Sequence, residues 1–341
     1  DTTIPVSLND GTNNYVYTKD FVKQGNGVTL GANASSFDAS APESLQSVTS
    51  IDGSAVTGNL EITDNANSNY IVGGSGKNTF NISGGNDTIV GYNIDSDTVS
   101  LTSATPPTSF DDITSSNDGN FTIKFDTSNS LTFKSKVKVA VQKDNETYTY
   151  TANSIALEGK GISLGSGYST VYNGANEDYA TIDASKVSKA IRITGNDKDN
   201  YIVASSLGGG TLLGGDGDDN IRNEYGDNVT ITGGTGNDSI YNLEKSSLAG
   251  NNGDNVIYQY SKGDGNDTIR GYREANKIQI LKGSYSSVKS GNDVILKVGE
   301  GSITLLDAVG IKLNIEELAP DPPPAEEGKK ITNSKAKISL T

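Results

Sequence analysis

A nine-residue glycine-Asp pattern constrains the fold of this chain more than any other feature. The pattern Gly-Gly-x-Gly-x-Asp-x-apolar-x is unbroken at 214–222 (GGDGDDNIR) and at 233–241 (GGTGNDSIY). Close variants share the aspartate and the apolar position and occupy 173–181, 194–202, 249–257 and 262–270. Glycines allow a turn with positive φ, the aspartate places a carboxylate at its end, and the apolar residue begins a short strand. Repetition of this unit predicts a coil of stacked strands.

The chain contains two related modules. The segment YVYTKDF at 15–21 corresponds to YTYTANS at 148–154, and NYIV recurs at 69–72 and 200–203. Asp87 and Asp267 form the next matching pair, and they lie much farther apart in the sequence than the two members of either earlier pair. The second module therefore has additional glycine-Asp coils, as a solenoid can gain coils without disturbing its ends.

Apolar and polar residues alternate through most segments outside the turns, as in FTIKF (121–125) and VILKV (294–298). This period of two indicates strands, and no segment has a convincing helical period. We predict an all-β fold of two tandem modules, each with a right-handed parallel β-roll (solenoid) segment and a hairpin-rich, β-sandwich-like cap. The predicted limits are 1–155 for the first module with its roll at about 50–92, 156–318 for the second with its roll at about 170–272, 319–330 for a proline-rich linker, and 331–341 for a strand-like tail.

Composition restricts the ligands that the chain can offer. The sequence has no histidine, cysteine or methionine, so a bound metal must be a hard cation held by oxygen. Acidic residues outnumber basic ones by 42 to 27, which gives a net charge of -15 and disfavours nucleic acid as a partner. No apolar run approaches the roughly 20 residues of a transmembrane helix, so we expect no transmembrane segment.

The aspartates of the nonapeptides form a regular series, which consists of Asp178, Asp199, Asp219, Asp238, Asp254 and Asp267. As far as Asp238 their spacing slightly exceeds two nonapeptides, which is one aspartate per coil, and beyond it the spacing shortens. Calcium takes about 6–8 oxygen ligands, so two turns from successive coils are needed to complete one site. The opposite turns, near GGGTL (208–212), EYGDN (224–228) and EKSS (244–247), look degenerate. We therefore expect calcium along one edge of the second roll, with turn-capping by Asp in a metal-free solenoid as the alternative.

These repeats resemble the RTX family, the glycine-Asp repeat proteins of bacterial type I secretion. The resemblance extends to GDGNDTIRGYREANKIQIL (263–281) and GNDVILKVGEGSITLLDA (291–308), which look like the strand-rich cap of family rolls. It implies a right-handed parallel β-roll with calcium between turns, in a secreted or cell-surface protein. The carboxylate ligands it implies are Asp199, Asp219, Asp238, Asp254 and Asp267, with Asp178 beginning the series, and the turn positions it implies are Gly214, Gly215, Gly217, Gly233, Gly234, Gly236 and Gly265.

The first module keeps the coil spacing but lacks most of the carboxylates. Asn69, Asn78 and Asp87 lie nine residues apart, as a compact coil requires. Amides replace two of the three carboxylates, which weakens calcium binding. We therefore expect a mainly metal-free coil in which Asp87 is the only plausible ligand.

Two hypotheses about function follow. The leading hypothesis is a non-catalytic extracellular structural or adhesive protein, part of a surface layer, matrix fibre or adhesin, which folds on binding calcium. The alternative is the calcium-dependent secretion and folding region of a larger secreted hydrolase, a protease or lipase. Catalysis by a carboxylate pair is disfavoured because the turns account for most acidic residues.

The tail also raises a hypothesis of self-association. Its segment KAKISL (335–340) alternates like a strand and could pair with an open strand edge at the N-terminal end of a neighbouring molecule. A disordered or intramolecular tail is the alternative. Other cell-surface or matrix components are further candidate partners.

Overall fold

The computed structural model describes residues 6–12, 14–41, 43–136, 138–223, 227–242 and 255–319. Within these ranges the regular structure consists of strands, apart from two 3-10 helices at Glu43–Leu45 and Phe110–Asp112. The predicted all-β fold is therefore confirmed. No helix in the described ranges is long and apolar enough to span a membrane.

The strands of the first half are β1 Val6–Asn9, β2 Asn14–Tyr17, β3 Phe21–Gln24, β4 Gly27–Leu30, β5 Ser36–Asp38, β6 Ser50–Asp52, β7 Leu60–Thr63, β8 Tyr70–Val72, β9 Asn78–Ile82, β10 Asn86–Val90, β11 Thr98–Leu101, β12 Ile113–Ser115, β13 Phe121–Lys124, β14 Ser130–Phe133, β15 Lys138–Lys143 and β16 Glu146–Thr151. Those of the second half are β17 Ser154–Leu157, β18 Gly161–Leu164, β19 Val171–Asn173, β20 Thr181–Asp183, β21 Arg192–Thr194, β22 Tyr201–Val203, β23 Thr211–Asp216, β24 Asn220–Asn223, β25 Thr230–Thr235, β26 Ser239–Asn242, β27 Ile257–Ser261, β28 Asn266–Arg270, β29 Lys277–Lys282, β30 Tyr285–Ser290, β31 Asp293–Val298, β32 Gly301–Leu306 and β33 Ile315–Glu317.

These strands form three sheets that wind into two rolls. Sheet A has ten strands, sheet B has sixteen and sheet C has seven. In the first roll, parallel strands alternate between sheet A (β4, β6, β8, β10) and sheet B (β5, β7, β9, β11). In the second roll they alternate between sheet B (β18 to β28, even numbers) and sheet C (β19 to β29, odd numbers). The predicted parallel β-roll architecture is thus present in both modules.

Alternation within each strand places every second side chain inside a roll. The parallel register puts equivalent residues of successive coils directly beside one another, so that like side chains stack. One such stack runs through the second roll and consists of Ile182, Ile202, Ile221, Ile240 and Ile269, all buried. β-branched side chains suit this position because they pack well on a pleated surface.

The buried apolar residues form two clusters. One extends from Val28 to Ile155, and the other extends from Ala156 to Ala308. Each roll therefore has its own thin core between its two sheets. The predicted linker and tail lie, from residue 320 onward, outside the described residues.

Hairpins close the ends of both rolls, as predicted for the caps. The antiparallel strands β12, β13 and β14 end the first roll, and β30, β31 and β32 end the second. The last strand of each set returns to the roll in parallel pairing, β14 with β10 and β32 with β28.

A second series of hairpins connects the two rolls. β15, β16, β17 and β18 follow one another as antiparallel neighbours in sheet B. β15 also pairs in parallel with β11 of the first roll, and β18 pairs in parallel with β20 of the second. Sheet B is therefore continuous across both rolls. The same series recurs before the first roll as β1, β2, β3 and β4.

Candidate metal centre

Aspartates of the second roll form a ladder at one edge, where strands of sheet B begin. The carboxylate ladder consists of Asp219, Asp238 and Asp267, one residue in each of three successive coils. The backbone N–H of Asp219 donates to Oδ1 of Asp238 at 2.8 Å, and that of Asp238 donates to Oδ1 of Asp267 at 3.1 Å. At the start of the ladder, the N–H of Asn200 donates to Oδ1 of Asp219 at 2.8 Å. Each carboxylate thus bridges two coils.

The second oxygen of two of these carboxylates lacks a partner. Oδ2 of Asp219 and Oδ2 of Asp238 are buried and accept no hydrogen bond from any residue that the structure describes. Both residues are only 1% exposed. A buried carboxylate oxygen without a partner is costly, so it requires a proton or a cation.

Glycines make the space for these carboxylates. A Cβ on Gly214 would overlap both Oδ2 of Asp219 and the carbonyl oxygen of Gly233, and a Cβ on Gly233 would overlap Oδ2 of Asp238. A carboxylate oxygen and a carbonyl oxygen therefore face the same point at the coil edge. The other predicted turn glycines share positive φ angles and are Gly215 (126°), Gly217 (104°), Gly234 (122°), Gly236 (137°) and Gly265 (109°).

This donor set fits a hard cation. Buried carboxylate and carbonyl oxygens are the ligands that calcium prefers, and they offer no nitrogen or sulfur. Within the described ranges, no group of three or more acidic side chains converges on one point. An ion at this edge would therefore take carboxylates from neighbouring coils and complete its shell with backbone carbonyls and water.

Burial also changes the protonation of the ladder. It raises the pKa of Asp267 to about 8, and the charge of Asp238 raises it further. Burial likewise raises the pKa of Asp219 to about 7 and that of Asp238 to about 6. The hydrogen bond that each carboxylate accepts from the backbone lowers its pKa and so opposes part of this rise. Without a cation, protons are thus the ladder's available counter-charge near neutral pH.

The predicted register of 194–202 is wrong by one residue. Tyr201 pairs with Asn220, so Asn200 lies opposite Asp219 in the ladder, and Asp199 lies outside it. Asp199 is exposed, and its Oδ1 accepts a hydrogen bond from the N–H of Asp218 at 2.8 Å. The sequence signal that decides the register is the Ile at the second position after the ladder residue, as in Asp219-Asn-Ile.

Another predicted ligand, Asp178, also lies away from the ladder. Asp178 is exposed and forms an ion pair with Lys198. Asp254 lies outside the described residues. The direct bond between Asp238 and Asp267, 29 residues apart, brings their two coils together as neighbours.

The opposite edge of the second roll carries amides instead of carboxylates. Nδ2 of Asn223 donates to Oδ1 of Asn242 at 2.8 Å, and Nδ2 of Asn242 donates to Oδ1 of Asn276 at 3.4 Å. This amide ladder is buried. An amide both donates and accepts, so it stacks without a counter-ion. Sequence reasoning missed it, although an asparagine follows the ladder aspartate by four residues in both DNIRN (219–223) and DSIYN (238–242).

The first roll holds a second candidate centre. As in the second roll, a backbone N–H, that of Asn69, donates to Oδ1 of the carboxylate 18 residues later, Asp87, at 2.8 Å. Asp64 is fully buried, and its Oδ1 accepts hydrogen bonds from Ser83 N at 2.7 Å and Ser83 Oγ at 2.6 Å. Three buried oxygens accept no hydrogen bond from the described part of the chain: Asp64 Oδ2, Asn69 Oδ1 and Asp87 Oδ2.

The two carboxylates of this first-roll cluster influence each other. Burial raises the pKa of Asp87 to about 8, and the charge of Asp64 raises it as well. Burial raises the pKa of Asp64 to about 6. The geometry therefore adds Asp64 and the amide oxygen of Asn69 to Asp87, the one ligand expected in this module. Asp64 escaped notice because it stands where the equivalent coil of the second roll has Gly195.

The opposite edge of the first roll is satisfied by the protein itself. Oδ1 of Asp97 accepts the N–H of Asn78 at 2.8 Å, and its Oδ2 accepts the N–H of Asn93 at 2.9 Å. The two residues predicted nine apart, Asn69 and Asn78, thus lie on opposite edges of the coil. Among the described residues of the first roll, buried oxygens without a hydrogen-bond partner occur only at the edge that carries Asn69.

Comparisons with known proteins do not identify an activity for the chain. No family model matches the sequence, and no curated protein matches it. Among solved structures, the extracellular lipase LipA from Serratia marcescens matches with 18% identity over 76% of this chain and 37% of the lipase, at a TM-score of 0.27. The chain thus spans little more than a third of that lipase, and a likeness at this TM-score supports no inference about activity.

Replacement of ladder carboxylates should raise the calcium concentration required for folding. We expect Asp219→Asn and Asp238→Asn each to weaken calcium binding about tenfold or more, because each removes a charged ligand. Asp199→Asn is the matched control, since Asp199 is exposed and off the ladder. Calorimetric titration checks this, and equal effects of the Asp199 and Asp219 changes would contradict the ladder register.

The first-roll cluster can be tested by counting bound ions. Asp64→Asn should reduce the number of calcium ions bound at saturating calcium, because it removes one of two interacting buried carboxylates. Asp95→Asn, an exposed carboxylate in the same roll, is the control and should leave the number unchanged. Equilibrium dialysis with atomic emission measures the stoichiometry. An unaltered count in Asp64→Asn would exclude a site there.

Acid should stabilise the metal-free protein. The ladder pKa values lie above the value near 4 of an unfolded Asp, so their contribution to stability is complete below about pH 4 and is lost as pH rises to about 8. In chelator, we expect Tm to fall as pH rises from about 5 until the folded state is lost near neutral pH, and saturating calcium should reduce this fall. Scanning calorimetry gives both slopes; identical slopes with and without calcium would count against this role of the ladder.

Proposed function

We propose that this chain is a non-catalytic, extracellular calcium-binding structural or adhesive protein whose rolls fold and stiffen when calcium binds. The observation that carries the proposal is the contrast between two edges of one roll. The amide ladder is closed by its own hydrogen bonds, whereas the carboxylate ladder leaves Oδ2 of Asp219 and Asp238 buried without a partner among the described residues. A divalent cation that prefers oxygen ligands completes the edge that carries the carboxylate ladder.

Binding and folding are coupled by this arrangement. The ladder residues come from separate coils, 19 residues apart for Asp219 and Asp238, so a site exists only when the coils are stacked. The binding free energy of the ion therefore adds to the free energy of unfolding. The chain's net charge of -15 adds self-repulsion that calcium reduces.

An extracellular location supplies the ion. Sites built largely from carbonyls and single carboxylates bind calcium weakly, in the range of about 10⁻⁴–10⁻³ M typical of extracellular modules. Such sites would stay empty at the low calcium concentration inside cells, and the chain would fold after export. This gives calcium the role of a switch for folding.

The acidic residues of the rolls support a structural role better than a catalytic one. The sequence has no histidine or cysteine to serve as base or nucleophile. The ladder carboxylates and Asp87 each have one oxygen bound to a backbone N–H of the neighbouring coil, where they join coils together. The role these contacts support is to hold neighbouring coils together.

A calcium titration tests the proposal directly. At neutral pH, we expect the β-signal in circular dichroism to increase cooperatively with calcium and to disappear in chelator, because the ladder carboxylates are then largely without a counter-charge. Magnesium at equal concentration is the control and should act weakly, since it demands octahedral geometry and keeps its waters. A β-signal that is fully developed in chelator at neutral pH would refute calcium-dependent folding.

A further inference from the structure

The N-terminal end of the first roll exposes a row of apolar side chains. This N-terminal face consists of Val6 and Leu8 on β1, Tyr17 on β2 and Val22 on β3, which are 55%, 57%, 38% and 36% exposed. β1 is the terminal strand of sheet A, and within the described residues it pairs only with β2. An exposed apolar face at an open strand edge favours association.

The second module contains the same surface, and there it is buried. In the alignment that matches Tyr15 with Tyr148, the four equivalents are Val139, Val141, Tyr150 and Ile155, which are 0%, 0%, 0% and 7% exposed. The pairing is equivalent too, because Val6 faces Tyr17 as Val139 faces Tyr150. The same surface is therefore present twice in this chain, exposed in the first module and buried in the second.

The end of the first roll is what covers the second copy of this surface. All four equivalents belong to the apolar cluster of the first roll. Tyr150 Oη donates to the carbonyl of Pro107 at 3.0 Å, and the N–H of Ala140 donates to Tyr92 Oη at 3.1 Å. β15 pairs with β11 on its outer side, with Gln142 opposite Ser100. A roll end is thus the natural complement of this face.

The second roll ends with a related but incomplete version of this junction. β33 lies beside β29, as β15 lies beside β11, with Glu316 opposite Gln279. The N–H of Asn314 donates to Tyr272 Oη at 2.9 Å, which matches the bond between Ala140 and Tyr92. The segment IKLNIE (311–316) also aligns with VKVAVQ (137–142).

β15 combines the positions that two other strands hold separately. It binds a roll end on one side, as β33 does, and a hairpin strand on the other, as β1 does. β33 has only three residues, and Leu313 and Ile315 are only partly buried, unlike their equivalents Val139 and Val141. The longer β1, with a hairpin behind it, is the better match to β15.

We propose that the N-terminal face binds the end of the second roll of another copy of this chain, in the register of the internal junction. β1 takes the place of β33 beside β29, so that Asn9, the equivalent of Gln142, comes to lie opposite Gln279. Val6 and Leu8 enter the apolar cluster of the second roll. The product is a head-to-tail polymer of this chain. The inference rests on the proposed function, because both roll ends must be folded before they can associate.

Sedimentation velocity in saturating calcium tests the association. The wild-type chain should form oligomers whose size increases with concentration, and Val6→Asp with Leu8→Asp should abolish them. Leu207→Asp, at a 60% exposed leucine away from either end, is the control and should associate as the wild type does. A wild-type chain that stays monomeric, or a double variant that still associates, would overturn the proposal.

Cross-linking tests the register, since the chain has no cysteine of its own. A mixture of Asn9→Cys and Gln279→Cys chains should form a disulfide-linked dimer on oxidation. Ser7→Cys lies on the same face of β1, two residues from Asn9, and should link to Gln279→Cys much less. Oligomers without the Asn9–Gln279 link would contradict the strand position.

Two further measurements separate the causes of a failure. Deletion of 331–341 should leave association intact; loss of oligomers would make the tail the occupant and overturn the proposal. Circular dichroism on the same samples reports calcium-dependent folding independently. A chain that folds with calcium but remains monomeric refutes only this inference, whereas a chain that needs no calcium to fold refutes the proposed function.

Discussion

One hydrogen bond recurs through both rolls, and the rest of the structure depends on it. A backbone N–H at the edge of one coil donates to Oδ1 of a carboxylate in the next, as Asp219 does to Asp238 and Asn69 does to Asp87. This bond favours a coil length of 18 or 19 residues, because another length would move the carboxylate away from its donor unless the extra residues loop out. It also draws the carboxylate out of water, which leaves the second oxygen in need of a proton or a cation.

The two edges of the second roll join successive coils through different side chains, amides at one edge and carboxylates at the other. At the amide edge, Asn223 and Asn242 satisfy each other, so that edge is stable whatever the solvent contains. At the carboxylate edge, the charges of Asp219 and Asp238 repel each other unless a proton or a cation neutralises them. A single coil thus combines an edge that is satisfied by its own amides with an edge whose stability depends on a counter-charge.

The sequence predicted the fold well and the site in part. Strand alternation and the glycine-Asp period were enough for an all-β double roll, and Asp219, Asp238 and Asp267 lie in one ladder because their nonapeptides are regular. Asp199 was misplaced because alignment of the aspartates puts Tyr201 in the apolar position, whereas strand pairing matches Ile202 with Ile221. Asp64 could not be found, because a glycine pattern gives no weight to a carboxylate at a glycine position.

The continuity of sheet B has a mechanical consequence. Every coil within a roll is joined to the next by two sheets, A with B or B with C, whereas at β15 to β18 only sheet B passes between the rolls in the described part of the chain. Resistance to bending depends on having hydrogen-bonded sheets on opposite sides of the axis. Among the described strands, sheet B alone therefore resists bending between the rolls, whereas two sheets resist bending within either roll.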